Sequence, residues 1–163
     1  MRCALLILHI FVRENNLLLL LMIKINYPQF NFRIKEEENK EVIFDEVRKL
    51  WVRLTPEEWV RQNIIQFFLQ ELKYPASLFS IEKEIKLGDL RKRCDIIIYK
   101  NSLPWMIIEC KEPNVLINQI TLQQILRYHL ALPVPYLCLS NGNEVYLFKK
   151  IDNAFKEIME FPL

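Results

Sequence analysis

Two carboxylates and a lysine in the middle of the chain have types and spacing that suit metal-assisted chemistry. Asp95 opens the apolar run "DIII", Glu109 closes the run "MIIE", and Lys111 follows two residues later. Both runs read as strands, in which side chains alternate between faces. Strict alternation puts Asp95, Ile97 and Tyr99 on one face and Cys94, Ile96 and Ile98 on the other. Glu109 and Lys111 share a face, with Cys110 opposite. If the two strands are neighbours, Asp95, Glu109 and Lys111 converge at one edge of a sheet. A carboxylate in such a run is costly unless it is paired or binds a cation. Two carboxylates within ~4 Å repel, and a divalent ion removes the conflict. Mg²⁺ suits them, because it prefers oxygen ligands and keeps waters for substrate phosphates. A lysine on the same face can orient or deprotonate an attacking water, or stabilise developing negative charge. The plainer alternative for Glu109 and Lys111 is a surface ion pair.

The elements that must carry these residues are legible in outline. Thr55 is placed to cap a helix, Pro56 fits its first turn, and Glu58 completes a T-x-x-E capping box. Val60, Ile64, Phe67, Phe68 and Leu72 then recur at helical spacing, and the helix ends near Tyr74-Pro75. Strand-like runs follow at Leu78 to Lys86, Cys94 to Lys100 and Trp105 to Lys111. Asn118 to Leu132 reads as a second helix. Pro135 to Ser140 is a further strand, Asn141-Gly142 a hairpin signal, and Glu144 to Lys149 a last strand. The expected class is α/β, ordered helix, three strands, helix, two strands, around a central mixed sheet. Residues 24–41, with the acidic run Glu36-Glu37-Glu38, read as a solvated loop or hairpin tip. Val42 to Leu54 reads as a short strand followed by a turn.

Composition removes several classes of function. The 163 residues are 52% hydrophobic and 26% charged, a globular balance far from disorder. The length fits one domain, expected over 24–163. The two glycines, Gly88 and Gly142, lie too far apart for either a P-loop or a G-x-G-x-x-G dinucleotide loop. ATP-driven motors and Rossmann oxidoreductases are thereby excluded. With 22 Lys+Arg against 20 Asp+Glu, the net charge is only +2. Nucleic acid would have to be met by a local basic cluster, and Lys83, Lys86, Arg91, Lys92 and Arg93 form one just before Asp95. A solvated hairpin with scattered charge is the competing account of it. Trp59, Trp105 and Tyr136 could stack on bases, but core or core edge explains each better. No pair among Cys3, Cys94, Cys110 and Cys138 has C-x-x-C spacing. Buried free thiols in a reducing, cytoplasmic setting fit them better than zinc. His9 and His129 are too few for a histidine metal site.

Residues 1–23 form an apolar extension interrupted by Arg13-Glu14-Asn15-Asn16. Charges at its centre argue against a spanning helix. No small-x-small cleavage site follows, which argues against a secretory signal. An over-long reading frame, with Met22 as the start, is the favoured account, and no membrane association is expected.

The segments "RCDIIIYKNSLPWMIIECKEPN" and "QQILRYHLALPVPYLCLSNG" resemble the N-terminal nuclease domain of type I restriction enzyme R subunits, within the PD-(D/E)XK nuclease superfamily. The likeness runs from about Ile43 to Phe148 and includes "LTPEEWVRQ", "YP", "IEKEI" and "SNG". It implies a restriction-endonuclease-like core and Mg²⁺-dependent hydrolysis of DNA, with Mn²⁺ as a substitute. Asp95 and Glu109 would hold the metal, with help from the main-chain carbonyl of Cys110, and Lys111 would position the attacking water. The family's first helix supplies a further glutamate, which by spacing matches Glu57, with Glu58 a close rival. A Q-x-x-x-Y pair on the helix after E-x-K matches Gln124 and Tyr128, although a polar pair at the core boundary would look the same. R subunits carry ATPase domains after the nuclease, and this chain has no phosphate loop. The implied protein is a nuclease-like domain without a motor, or one that borrows specificity from a restriction or repair complex. Double-strand cleavage would favour a homodimer. The rival is a non-catalytic module on the same fold that binds DNA or a protein partner.

Overall fold

The computed structural model describes residues 26–162, apart from 88 and 89. The expectations for residues 1–23, Cys3, His9 and Met22 therefore lie outside the described residues. Among the described residues, nine strands and two principal helices follow one another in the order three strands, helix, three strands, helix, three strands.

β1 (Ile34–Glu37), β2 (Lys40–Asp45) and β3 (Leu50–Arg53) form an antiparallel sheet of their own. The expected order therefore omitted a whole sheet. The acidic run does sit at a hairpin tip, as expected. Glu38 and Asn39 both take positive φ, the backbone of a tight two-residue turn that matches strand twist. What the sequence hid is that β1 and β2 continue on both sides of that tip. Ile34, Ile43 and Val52 lie across from one another and pack with Leu54 and Trp59 in a small apolar cluster.

α1 (Pro56–Gln66) starts where its signals say. Thr55 is extended, and its hydroxyl accepts the Glu58 N–H at 3.1 Å. The helix then widens into a π turn, Phe67–Glu71, in which the Leu72 N–H reaches the Phe67 carbonyl at 3.1 Å. Six strands form the main sheet in the order β4-β5-β6-β7-β8-β9. They are β4 (Phe79–Leu87), β5 (Leu90–Lys100), β6 (Leu103–Cys110), β7 (Tyr136–Ser140), β8 (Val145–Ile151) and β9 (Ala154–Ile158). The sheet is mixed: β6 and β7 run parallel and all other neighbours antiparallel. The parallel pair is a consequence of α2 (Gln119–Ala131), because parallel neighbours need a crossover. α2 begins with a full capping box between Asn118 and Thr121. β9 is the second element absent from the expected order.

The helices cover opposite faces of the main sheet. Val60, Ile64 and Ile65 of α1 and Phe68 of the π turn pack on Ile96, Ile98, Met106, Ile108 and Cys110. Ile125 and Tyr128 of α2 pack on Cys94, Ile97, Ile107, Leu137 and Leu139. Both faces being covered explains why β5 and β6 read as near-continuous apolar runs. Cys94, Cys110 and Cys138 are buried free thiols, as expected. Burial pushes each thiol far above its ordinary range, which makes them inert.

Candidate active site

β5 and β6 pair up to Ile96↔Ile108 and then part, one step short of Asp95 and Glu109. The Cys110 N–H is taken by the Asp95 carboxylate, Oδ2 accepting at 2.7 Å. On its other side β6 stays attached to β7, because the Lys111 N–H reaches the Ser140 carbonyl at 2.8 Å. The gap holds Asp95, Glu109 and Lys111 together, as strand adjacency predicts.

The face assignment for Asp95 needs correction. Cys94 belongs to the α2-side core and Ile96 to the α1-side core, and Asp95 also turns toward α1. Two successive residues therefore face one way. Glu82, across on β4 between the pairs Ile81↔Ile96 and Lys83↔Cys94, has φ of 52°. This left-handed residue breaks the alternation of both strands at one register. Asp95 thus enters the gap from the α1 side, whereas Glu109 enters from the α2 side.

Arg61 of α1 is the partner that sequence reasoning missed. Its guanidinium donates to Asp95 Oδ1 at 2.9 Å, forms an ion pair with Glu58, and reaches Glu57 at 3.4 Å. Burial alone would lower its pKa, but the charges of Asp95 and Glu58 raise it overall, so it stays charged. Behind it the ionic contacts continue. Glu58 accepts from Arg48 at 3.1 Å and from Gln62 at 2.8 Å. Arg48 also donates to Asp45 at 2.7 Å, and Asp45 is completely buried. The one available signal for Arg61 was its position, three and four residues after Glu58 and Glu57 on a helix that buries Val60 and Ile64.

The two glutamates of α1 divide in a way the capping argument only half predicted. Thr55 caps through the Glu58 N–H, but the Glu58 carboxylate turns to Arg48, Arg61 and Gln62. Glu57 is half-buried and faces the gap. Burial and the charge of Asp95 raise its pKa, while Arg61 and Lys111 oppose the rise.

Glu109 is the most perturbed carboxyl of the group. Its side chain is only 4% exposed. Burial first, and the charge of Asp95 second, push its pKa up to about 8, against the pull of Lys111. Oε1 accepts from Lys111 at 2.7 Å and from Gln124 at 2.5 Å. Oε2 is buried and has no hydrogen-bond partner. Lys111 would have its pKa lowered by burial, but its bond to Glu109 and that carboxylate's charge raise it overall. It is therefore an ammonium that donates, not a base. Gln124 and Tyr128 meet Glu109 from α2: the amide also donates to the Tyr128 hydroxyl at 3.2 Å, and that hydroxyl donates to the Arg93 carbonyl at 3.2 Å.

The buried, unpartnered Oε2 of Glu109 beside a second carboxylate is a place where a hard cation would relieve both desolvation and repulsion. The donor set is small. Asp95 already has one donor on each oxygen. Among the described residues no group of three His, Cys, Asp or Glu side chains is arranged to hold an ion. These residues fit Mg²⁺, which is commonly held by one or two carboxylates and otherwise by water and substrate oxygens. They do not fit a closed cage.

The basic cluster is on the β4–β5 hairpin but is not one patch. Alternation along the hairpin places Lys83 and Lys92 on one face and Lys86, Arg91 and Arg93 on the other. Arg91 pairs with Glu84 at 3.2 Å and Arg93 with Glu82 at 3.7 Å, while Lys83 donates to the Tyr99 hydroxyl at 2.8 Å. Lys86 and Lys92 are exposed. Trp59 and Trp105 serve packing: Trp59 lies in the apolar cluster with Ile43 and Leu54, and Trp105 makes tilted ring contacts with Tyr74 and Tyr136. No helix among the described residues is long and apolar enough to cross a membrane.

The sequence pattern of the family described as the type I restriction enzyme R protein N terminus matches residues 56–162. The match begins at α1 and ends after β9. Neither the curated proteins nor the solved structures give a significant match to the chain.

Proposed function

The chain belongs to the family of the type I restriction enzyme R protein N terminus, and from that membership and the gap between β5 and β6 we propose that it is a Mg²⁺-dependent deoxyribonuclease. The observation that carries the reading is the buried Glu109 carboxylate. It is braced by Lys111 and Gln124 on one oxygen and unpartnered on the other, beside Asp95. Asp95 and Glu109 would hold the metal, with the Cys110 carbonyl and Glu57 as supplementary oxygens, and Mn²⁺ would substitute. When bound, the ion supplies Lewis acidity and an activated water. The rest falls to this chain's own groups. Arg61 and the Cys110 amide fix the Asp95 carboxylate plane. Lys111 orients the attacking water and stabilises charge gathering on the phosphate. Gln124 and Tyr128 hold Glu109 in place. Lys86 and Lys92 are exposed and available to the DNA backbone. A site with one set of these residues cuts one strand, so cleavage of both strands would use a homodimer or a larger restriction or repair complex.

Plasmid nicking with Mg²⁺ or Mn²⁺ tests this, with wild type beside Asp95→Ala and Lys111→Ala. Nicking by wild type alone is the expected result. Equal nicking by all three overturns the assignment. One observation favours a second reading, a non-catalytic module that binds nucleic acid or a partner: Arg61 already neutralises Asp95. Under that reading wild type binds DNA without nicking it, and Mg²⁺ produces no thermal shift that Glu109→Ala removes.

A further inference from the structure

α2 turns Gln124 and Tyr128 toward Glu109. Another flank of the same helix forms one wall of an open cleft of about 500 Å³, at the far side of which stand Lys150, Asn153 and Phe155 of the β8–β9 hairpin. Arg127 and Leu130 lie along the helix wall, and His129 sits between the two sides. None of the residues lining the cleft is acidic. Arg127 is exposed and makes no ion pair among the described residues, and Leu130 is 74% exposed.

The hydrogen bonds of His129 do not close. The Val134 N–H donates to Nδ1 at 3.1 Å, so Nδ1 carries the lone pair. A neutral imidazole with an accepting Nδ1 has its proton on Nε2. Yet Lys150 Nζ lies 3.3 Å from Nε2, and an ammonium has donors only. Two N–H groups thus face one another with no acceptor between them. The imidazole cannot swing away freely, whereas the exposed Lys150 side chain is anchored only through its backbone. His129 is buried and meets the Phe155 ring edge-on at 4.8 Å, and the Lys150 main-chain N–H is held by the Pro135 carbonyl at 2.8 Å. Burial and the Lys150 charge both lower the His129 pKa, so protonating the ring is not the way out.

An anionic oxygen that accepts from both nitrogens would resolve the conflict. We propose that this cleft is a phosphate-binding site, separate from the carboxylate site and independent of its reading as a nuclease. One phosphate oxygen takes the Nε2–H of His129 and a proton of Lys150, and the Arg127 fork closes on the remaining oxygens. Two full positive charges, one of them a guanidinium fork, suit phosphate better than a single carboxylate. The volume is that of a small-molecule site, and the Phe155 and Leu130 side chains offer an apolar wall to the organic part of the ligand. A free phosphate, a mononucleotide and a nucleic-acid backbone share this chemistry.

The test is nitrogen-detected NMR of the histidine rings in the full chain, with the His129 signals identified by their loss in His129→Gln. Inorganic phosphate, a 5′-mononucleotide and a short single-stranded oligonucleotide are titrated separately into wild type, Lys150→Met and Arg127→Met. The free protein should show the Nε2–H tautomer. At least one probe should shift the His129 signals, and each variant should weaken that probe about tenfold, the loss of one charged hydrogen bond. The tightest probe identifies the source of the phosphate. An Nδ1–H tautomer, silence to all three probes, or equal binding by both variants would each overturn the proposal. The two variants alter exposed side chains, so their folds and their response to Mg²⁺ should match wild type.

Discussion

Glu109→Gln should change the pH dependence of stability in a direction that the site's geometry fixes. The Glu109 pKa stands at about 8 in the folded protein, against an ordinary value of 4.5, chiefly because burial and then Asp95 oppose its charge. A carboxyl whose folded pKa is raised binds its proton more tightly when folded. Its contribution is fully present below the unfolded pKa and is lost as pH rises through the folded one. The difference, 8 − 4.5 = 3.5 units, corresponds to about 5 kcal/mol of stability lost over that window. Glutamine carries no charge to desolvate, so this loss should vanish in the variant. The pull of Lys111 is already contained in the folded pKa and makes no separate contribution. The variant should therefore stay close to wild type near pH 5, where the carboxyl is protonated, and exceed it by about 5 kcal/mol near pH 9. Urea unfolding of the metal-free proteins across that range measures both curves. Parallel curves, with a gap that does not change with pH, would refute the reasoning that Glu109 is a desolvated carboxylate next to Asp95.

Arg61→Met should lower unfolding free energy by about 3–5 kcal/mol, because it leaves Asp95 a buried carboxylate without its counter-charge and takes from Glu58 one of its two cations. Arg61→Lys should recover only part of that, since an ammonium cannot span both carboxylates as the fork does, and denaturant midpoints for the three proteins decide it. Phe68→Ala should cost about 3–5 kcal/mol, because Phe68 is fully buried among Tyr74, Phe79 and Phe161, and thermal melts will show it. Cys94, Cys110 and Cys138 should resist a thiol reagent in the native protein and react on unfolding; rapid native labelling of any of the three, located by mass spectrometry, would contradict their burial.

The parts of the fold that announced themselves did so through strong local chemistry. Thr55-Pro56 and Asn118 mark helix starts because capping residues are few and positional. β5 and β6 stand out because a strand covered on both faces is apolar throughout. Glu109 and Lys111 could be grouped because strand alternation puts them on one face, whereas Gln124 and Tyr128 joined them only through the family resemblance. The sheet of β1, β2 and β3 was not legible for the opposite reason. β1 and β3 are four residues each, and β1 reads Ile-Lys-Glu-Glu, with too few apolar positions to show a period. Asp95 was assigned to the wrong face because alternation is a local rule, and the residue that breaks it, Glu82, lies on a different strand with an unremarkable identity. Glu58 fitted a capping box by spacing, but Arg48, from a distant loop, outcompeted the backbone for its carboxylate. Long-range charge pairing of this kind leaves no period in a sequence.

The run of ionic contacts from Asp45 through Arg48 and Glu58 to Arg61 and Asp95 has a consequence for where the molecule can be cut. The family's shared pattern begins at Pro56, yet Arg48 lies upstream of it and satisfies Glu58 and Glu82 downstream. Trimming to the shared pattern would remove a counter-charge for two carboxylates in one stroke, and with it the buried Asp45 anchor of Gln62. The unit that keeps Asp95 in register is thus larger than the segment the family pattern matches. The small sheet outside the family match is, in electrostatic terms, part of the foundation of the site.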